Sequence, residues 1–145
     1  MGVARIPFTQ AEESVLGQLG GWMLFIAIVH FIGAALALLG SCLLLAGGAI
    51  GAGAASELGA GMGIMMAVMG VIVFLAGGIL VYQGILLVQA RGSFQAVVTT
   101  DHADQAHLNA GFQKLKIFFL IEVVLGVLGL IGNTGQIVAL VVGQL

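Results

Sequence analysis

Charge is what this chain has least of: four lysines and arginines and six aspartates and glutamates, for a net charge of −2. A soluble globular domain carries about 25% charged residues, and at 7% this chain cannot clothe a water-facing surface. Four cations are also too few for the patch that tracks a phosphate backbone, so nucleic acid is excluded as a partner. The single cysteine, Cys42, cannot close an internal disulfide and does not indicate a redox compartment. In an apolar run such a thiol serves as a small packing residue. The single proline, Pro7, precedes every apolar run, so none of them is broken by one. The short polar segments offer no nucleophile and base at a recognisable spacing, which argues against an enzyme and leaves no catalytic residue or cofactor to assign.

Apolar sequence, by contrast, is abundant: 61% of residues are hydrophobic and the mean hydropathy is +1.22. Residues 19–48, 61–90 and 117–145 form three runs, each longer than the ~20 residues that cross a bilayer as a helix. The chain is therefore expected to be one all-α membrane domain, a helical bundle of three transmembrane helices (alternatively four), with membrane lipid as its first partner. The first run begins too late and runs too long for a cleavable signal, so the N-terminus is expected to be retained. Arg5, Arg91, Lys114 and Lys116 all fall on one side if the N-terminus is cytoplasmic, as the positive-inside rule favours. That orientation makes residues 1–18 a cytoplasmic or interfacial segment, 49–60 an external loop and 91–116 a cytoplasmic connection.

Local signals refine this plan. Thr9 and Glu12 have the spacing of a capping box and predict a helix start, leading through Gly17, Gly20 and Gly21 to an interfacial Trp22. Seven glycines between 47 and 63 predict a short turn, because each weakens a helix by ~1 kcal/mol relative to alanine. No Gly-Lys-Ser/Thr follows to make it a phosphate cradle. In the 91–116 connection, Asp101 is placed to cap a short amphipathic helix carrying Leu108, Phe112 and Leu115 on one stripe. His102 and His107 are five apart, unlike the i, i+4 pair of a zinc helix, and with Asp101 and Asp104 they read as a solvated face rather than a metal site.

Packing signals are stronger. Gly63, Gly70, Gly77 and Gly84 recur every seven residues in the second run, and Gly33, Gly40 and Gly47 do so in the first, with Ala37 beside Gly33. A seven-residue repeat keeps one seam towards a left-handed partner, and small residues on it allow backbones to approach closely. These glycine zippers are expected to join the two runs within the chain, with part of the seam left for an oligomer or for other membrane subunits.

Polar residues inside the runs are the functional leads, since an ionisable group in hydrocarbon costs ~2.5–3.5 kcal/mol and normally faces protein or water. His30 lies about 12 Å inward of Trp22, Gln83 about 12 Å inward of Arg91 and Glu122 about 9 Å inward of Lys116. All three should meet in one polar layer beside Tyr82, either as a proton pathway or as a hydrogen-bonded staple. Met62, Met65, Met66 and Met69 share one helix face at about the height of Cys42; they read as adaptable filler rather than a copper site. The apolar tail at 137–145 is expected to prolong the third helix.

Trp22 opening a glycine-rich span, a second span ending in the 82–91 stretch from Tyr82 to Arg91, Thr100 and Asp101, then Leu115, Lys116, Ile117, Phe118 and Phe119 leading into a third span form a pattern. It resembles a family of small uncharacterised bacterial multi-span membrane proteins, with the likeness covering about residues 15–131. The resemblance implies a three- or four-helix inner-membrane fold and no known activity, and it supplies no functional residues. Glu122 and the 137–145 tail depart from it. The reading that results is a structural or scaffolding membrane subunit, self-associating through its glycine seams; the alternative is a small homo-oligomeric channel or proton pore lined by His30, Gln83 and Glu122.

Overall fold

A computed structural model describes residues 9–53, 57–99 and 104–142, which form α1 (Gln10–Ala52), α2 (Glu57–Thr99) and α3 (Asp104–Val142). All three are long and apolar enough to cross a membrane. At 43 residues, α1 and α2 are each about 65 Å long, about twice the thickness of a hydrocarbon core. Burial is distributed unlike that of a soluble domain. Leu43 and Ile50 are 74% and 79% exposed, while the buried positions of α1 are Gly20, Met23, Ala27, Ala34, Ser41 and Gly48. Apolar surface of this extent all round a helix pair matches a hydrocarbon solvent, not water.

Thr9 caps α1. Glu12 Oε2 accepts from the Thr9 backbone N–H at 2.7 Å and from its hydroxyl at 2.9 Å, while the Glu12 N–H reaches Thr9 Oγ1 at 3.4 Å. These bonds, the backbone one first, hold the Glu12 carboxyl below its ordinary range. From there α1 runs without interruption past Gly17, Gly20 and Gly21.

Two expectations are corrected. The glycine-dense stretch is mostly helix, because α1 continues to Ala52 and α2 resumes at Glu57, which shortens the expected 49–60 loop. Tertiary contact outweighs the propensity penalty there: the Gly48 and Gly51 backbones lie against Gly63, so close that an added Cβ would fall 2.8 Å from Gly63 O and 2.9 Å from Gly63 Cα respectively. Nor do the described residues of 91–116 show a separate amphipathic helix, since α2 continues to Thr99 and α3 runs from Asp104 straight into the third apolar run. Leu108 and Leu115 pack on the core as the first turns of α3, while Phe112 is half-exposed. Asp101 and His102, and with them the expected cap, lie outside the described residues.

α1 and α2 pack antiparallel along their length in steps of seven. Phe31, Leu38 and Leu45 of α1 seat over Gly84, Gly77 and Gly70 of α2, where an added Cβ would lie 2.8, 3.1 and 2.9 Å from their side chains; Ala52 meets Gly63 through its backbone. On α1 the small residues in phase with this seam are Gly20, Ala27, Ala34, Ser41 and Gly48, all buried. The expected zipper of Gly33, Gly40 and Gly47 is therefore one residue out of phase. A Cβ on Gly33 would make ordinary contact with Leu80 at 3.6 Å, one on Gly47 would meet only the flexible end of Met66, and one on Gly40 would meet nothing within 4 Å. A period in glycine sets the repeat but not its phase, because alanine and serine serve the seam equally well.

The third helix joins only at one end, here called the base, where α1 begins, α2 ends and α3 begins. Met23, Ala27, Leu86, Leu87, Ala90, Phe94 and Phe118 form a core there, flanked by Leu16, Leu108, Leu115 and Ile121. Phe94 presses on Gly111, whose Cβ would lie 2.9 Å from the ring. Lys114 Nζ ties α3 to α2 by donating to Gln89 O and Ser93 Oγ, both at 3.5 Å. Beyond Glu122, towards the far end, every described α3 side chain is exposed through Thr134. The helix itself continues to Val142, so residues 137–142 prolong α3.

Candidate functional site

One residue from each helix meets at the top of the basal core, where α3 parts from the hairpin. His30 comes from α1, one residue before the Phe31 knob; Gln83 from α2, beside the Gly84 that receives that knob; Glu122 from α3, one turn beyond the buried Phe118. α1 and α3 have no backbone-level contact, so side chains join them: those of this layer, the edge-on packing of His30 on Phe118 with centroids 5.6 Å apart, and the shared basal core.

Glu122 Oε1 is the shared atom. Gln83 Nε2 donates to it at 2.9 Å, and His30 Nε2 lies 3.4 Å away, at the long end of a hydrogen bond. The other ring nitrogen, Nδ1, lies 2.9 Å from the Ile26 carbonyl oxygen in the preceding helical turn. A carbonyl only accepts, so Nδ1 carries a hydrogen, which settles the tautomer of a neutral ring. Burial is graded: Gln83 is fully buried, whereas the His30 and Glu122 side chains are 14% and 44% exposed. Gln83 Oε1 is buried without a hydrogen-bond partner. Tyr82 lies next to Gln83 in sequence, is half-exposed and lines a crevice between α2 and α3.

Above this layer the divergence of α2 and α3 opens a crevice of about 640 Å³, lined by Phe74, Leu75, Ile79, Tyr82, Val124 and Leu128 among others. Apart from the Tyr82 hydroxyl its walls are apolar. Met62, Met65, Met66 and Met69 do share a face, forming with Leu44 a shallow groove of about 240 Å³ whose walls do not include Cys42. Among the described residues no cluster of histidine, cysteine and carboxylate suits a metal ion. His107 is half-buried on α3, apart from His30.

Sequence reasoning missed Phe94, Gly111 and Phe118, the residues that hold α3 at the height where Glu122 meets its partners. Gly111 and Phe118 have a trace in the sequence, since Leu108, Gly111, Leu115, Phe118 and Glu122 follow alternating steps of three and four, the spacing of one helix face. Phe94 carries no such sign, because only the fold brings it to Gly111. No protein-family model, curated protein or solved structure matches the chain to significance.

Proposed function

We propose that this protein is a non-enzymatic subunit of a membrane assembly, multi-pass in a bacterial inner membrane with its N-terminus and cations on the cytoplasmic side. The α1/α2 hairpin is its scaffold, and the outer half of α3 is the arm that takes a helix from another copy or another subunit. The observation that carries this reading is that every described α3 side chain from Glu122 to Thr134 is exposed. The seam glycines Gly70, Gly77 and Gly84 of α2 are meanwhile filled by α1 side chains. Association through those three would compete with the hairpin, whereas Gly126, Gly129 and Gly132 on α3 have nothing within 4 Å of an added Cβ and suit close helix approach. Native mass spectrometry from nanodiscs tests this. Gly129→Leu should release the partner from a folded hairpin, and complexes of unchanged mass would overturn the reading.

A second reading, a small proton-conducting pore, is favoured by the contact of His30, Gln83 and Glu122. It predicts proton flux in liposomes that falls in Glu122→Gln at matched protein content; equal flux in the two proteins removes it.

A further inference from the structure

The Nδ1–H of His30 is committed to the Ile26 carbonyl, so a neutral ring turns a bare lone pair at Nε2 towards Glu122 Oε1, 3.4 Å away. An ionised carboxylate turns lone pairs back at it. Two acceptors would then face each other in an apolar setting, a costly arrangement for groups withdrawn from water. One proton between them resolves the conflict.

We infer that His30 and Glu122 form a binding site for a single proton, shared between Nε2 and Oε1, with Gln83 as the residue that positions it. The two occupied forms are imidazolium with carboxylate and imidazole with carboxylic acid. They interconvert by breaking one bond to the proton and forming the other, with no change in total charge. Removing the proton restores two opposed acceptors; adding a second leaves a net positive charge in hydrocarbon. Gln83 donates to the same oxygen at 2.9 Å and so fixes which carboxylate oxygen meets the ring. The site faces His30 from α1, Gln83 from α2 and Phe118 from α3; among the described residues no other ionisable side chain bonds to either member.

The inference concerns binding and does not require conduction, so a protein that binds a proton without flux loses only the pore reading. The test uses the full chain in lipid nanodiscs with ¹⁵N-labelled histidine, the His30 signals being identified by their loss in His30→Asn. Nδ1 should carry its hydrogen throughout, and the pH dependence of the Nε2 signal should differ between the wild type and Glu122→Gln. A bare Nδ1, or the same curve in both proteins, overturns the inference. Should Glu122→Gln fail to fold, a hydrophobic carbodiimide decides on the wild type. The carboxyl proton passes to a carbodiimide nitrogen while the carboxylate oxygen bonds to the central carbon, so the O-acylurea forms only where the carboxyl is protonated. Labelling at Glu122 that declines as pH rises supports the site; no labelling at any pH overturns it. Gln83→Leu should change that labelling rate several-fold, and an unchanged rate would remove Gln83 from the site.

Discussion

The base and the far end of this molecule are built from the same apolar vocabulary and packed in opposite ways. Away from the base two helices meet closely, Leu38 and Leu45 seated over Gly77 and Gly70 and the backbones of Gly48, Gly51 and Ala52 lying against Gly63. At the base three helices enclose large side chains, Phe94 and Phe118 above all. The third helix shows what separates the two modes. Gly111 on α3 is covered by Phe94, while Gly126, Gly129 and Gly132 on the same helix meet nothing. A glycine makes a helix contact only where a partner helix brings a side chain or its own backbone to that height, and above Glu122 the hairpin offers Gly126, Gly129 and Gly132 neither.

The largest expected effect comes from removing the basal knob. Phe94→Ala empties a fully buried site that extends past Arg91, beyond the apolar run, and should cost about 3–5 kcal/mol, read from denaturant unfolding in micelles. Crosslinks between α3 and α2 should be lost while those between α1 and α2 persist; loss of both together would show that the two regions are one cooperative unit. Next comes the far end, where Gly77→Leu must displace Leu38 and Ala37 and should destabilise the hairpin by about 1–3 kcal/mol. Gly40→Leu, facing open space, should stay within about 0.5 kcal/mol, and equal losses at the two positions would disprove the assigned seam.

At the junction of the regions, Glu122→Gln retains the shape of the side chain but alters its bonds to His30 and Gln83, an effect of about 1 kcal/mol on α3 docking, measurable by the same unfolding series. The smallest effect lies at the tip of α1. The lowered carboxyl of Glu12 contributes stability that is complete above the ordinary glutamate range near pH ~4.3 and disappears as pH falls through its lowered value. Amide exchange in the first turn of α1 should accelerate in that acid window, and Thr9→Ala should abolish the pH dependence without touching the base.

Much of this was legible from residues alone. Thr9 and Glu12 announced the start of α1 because a cap is a local device, and the depths of His30, Gln83 and Glu122 followed from helical rise and the positions of Trp22, Arg91 and Lys116. The phase of the α1 seam was not legible, since Gly33 and Ala34 are equally small and only the position of α2 distinguishes them. The glycine stretch at 47–63 misled for a related reason. Glycine's cost to a helix is counted against an isolated chain, whereas here its missing side chain is what lets Gly48, Gly51 and Gly63 touch.

By itself the sequence determined composition, element type and height: little charge, apolar runs long enough to span hydrocarbon, and three polar side chains at matching height along their helices. These are properties of single segments, governed by transfer energies and by a rise of about 1.5 Å per residue. Only the tertiary structure decided which face of each helix meets which neighbour, that α3 leaves the hairpin at Glu122, and that Glu122 is left half-exposed as it does so. Rotation about a helix axis and the point of divergence depend on whether a knob on one helix finds a hole on another, and that match is a property of pairs of surfaces that no single segment encodes.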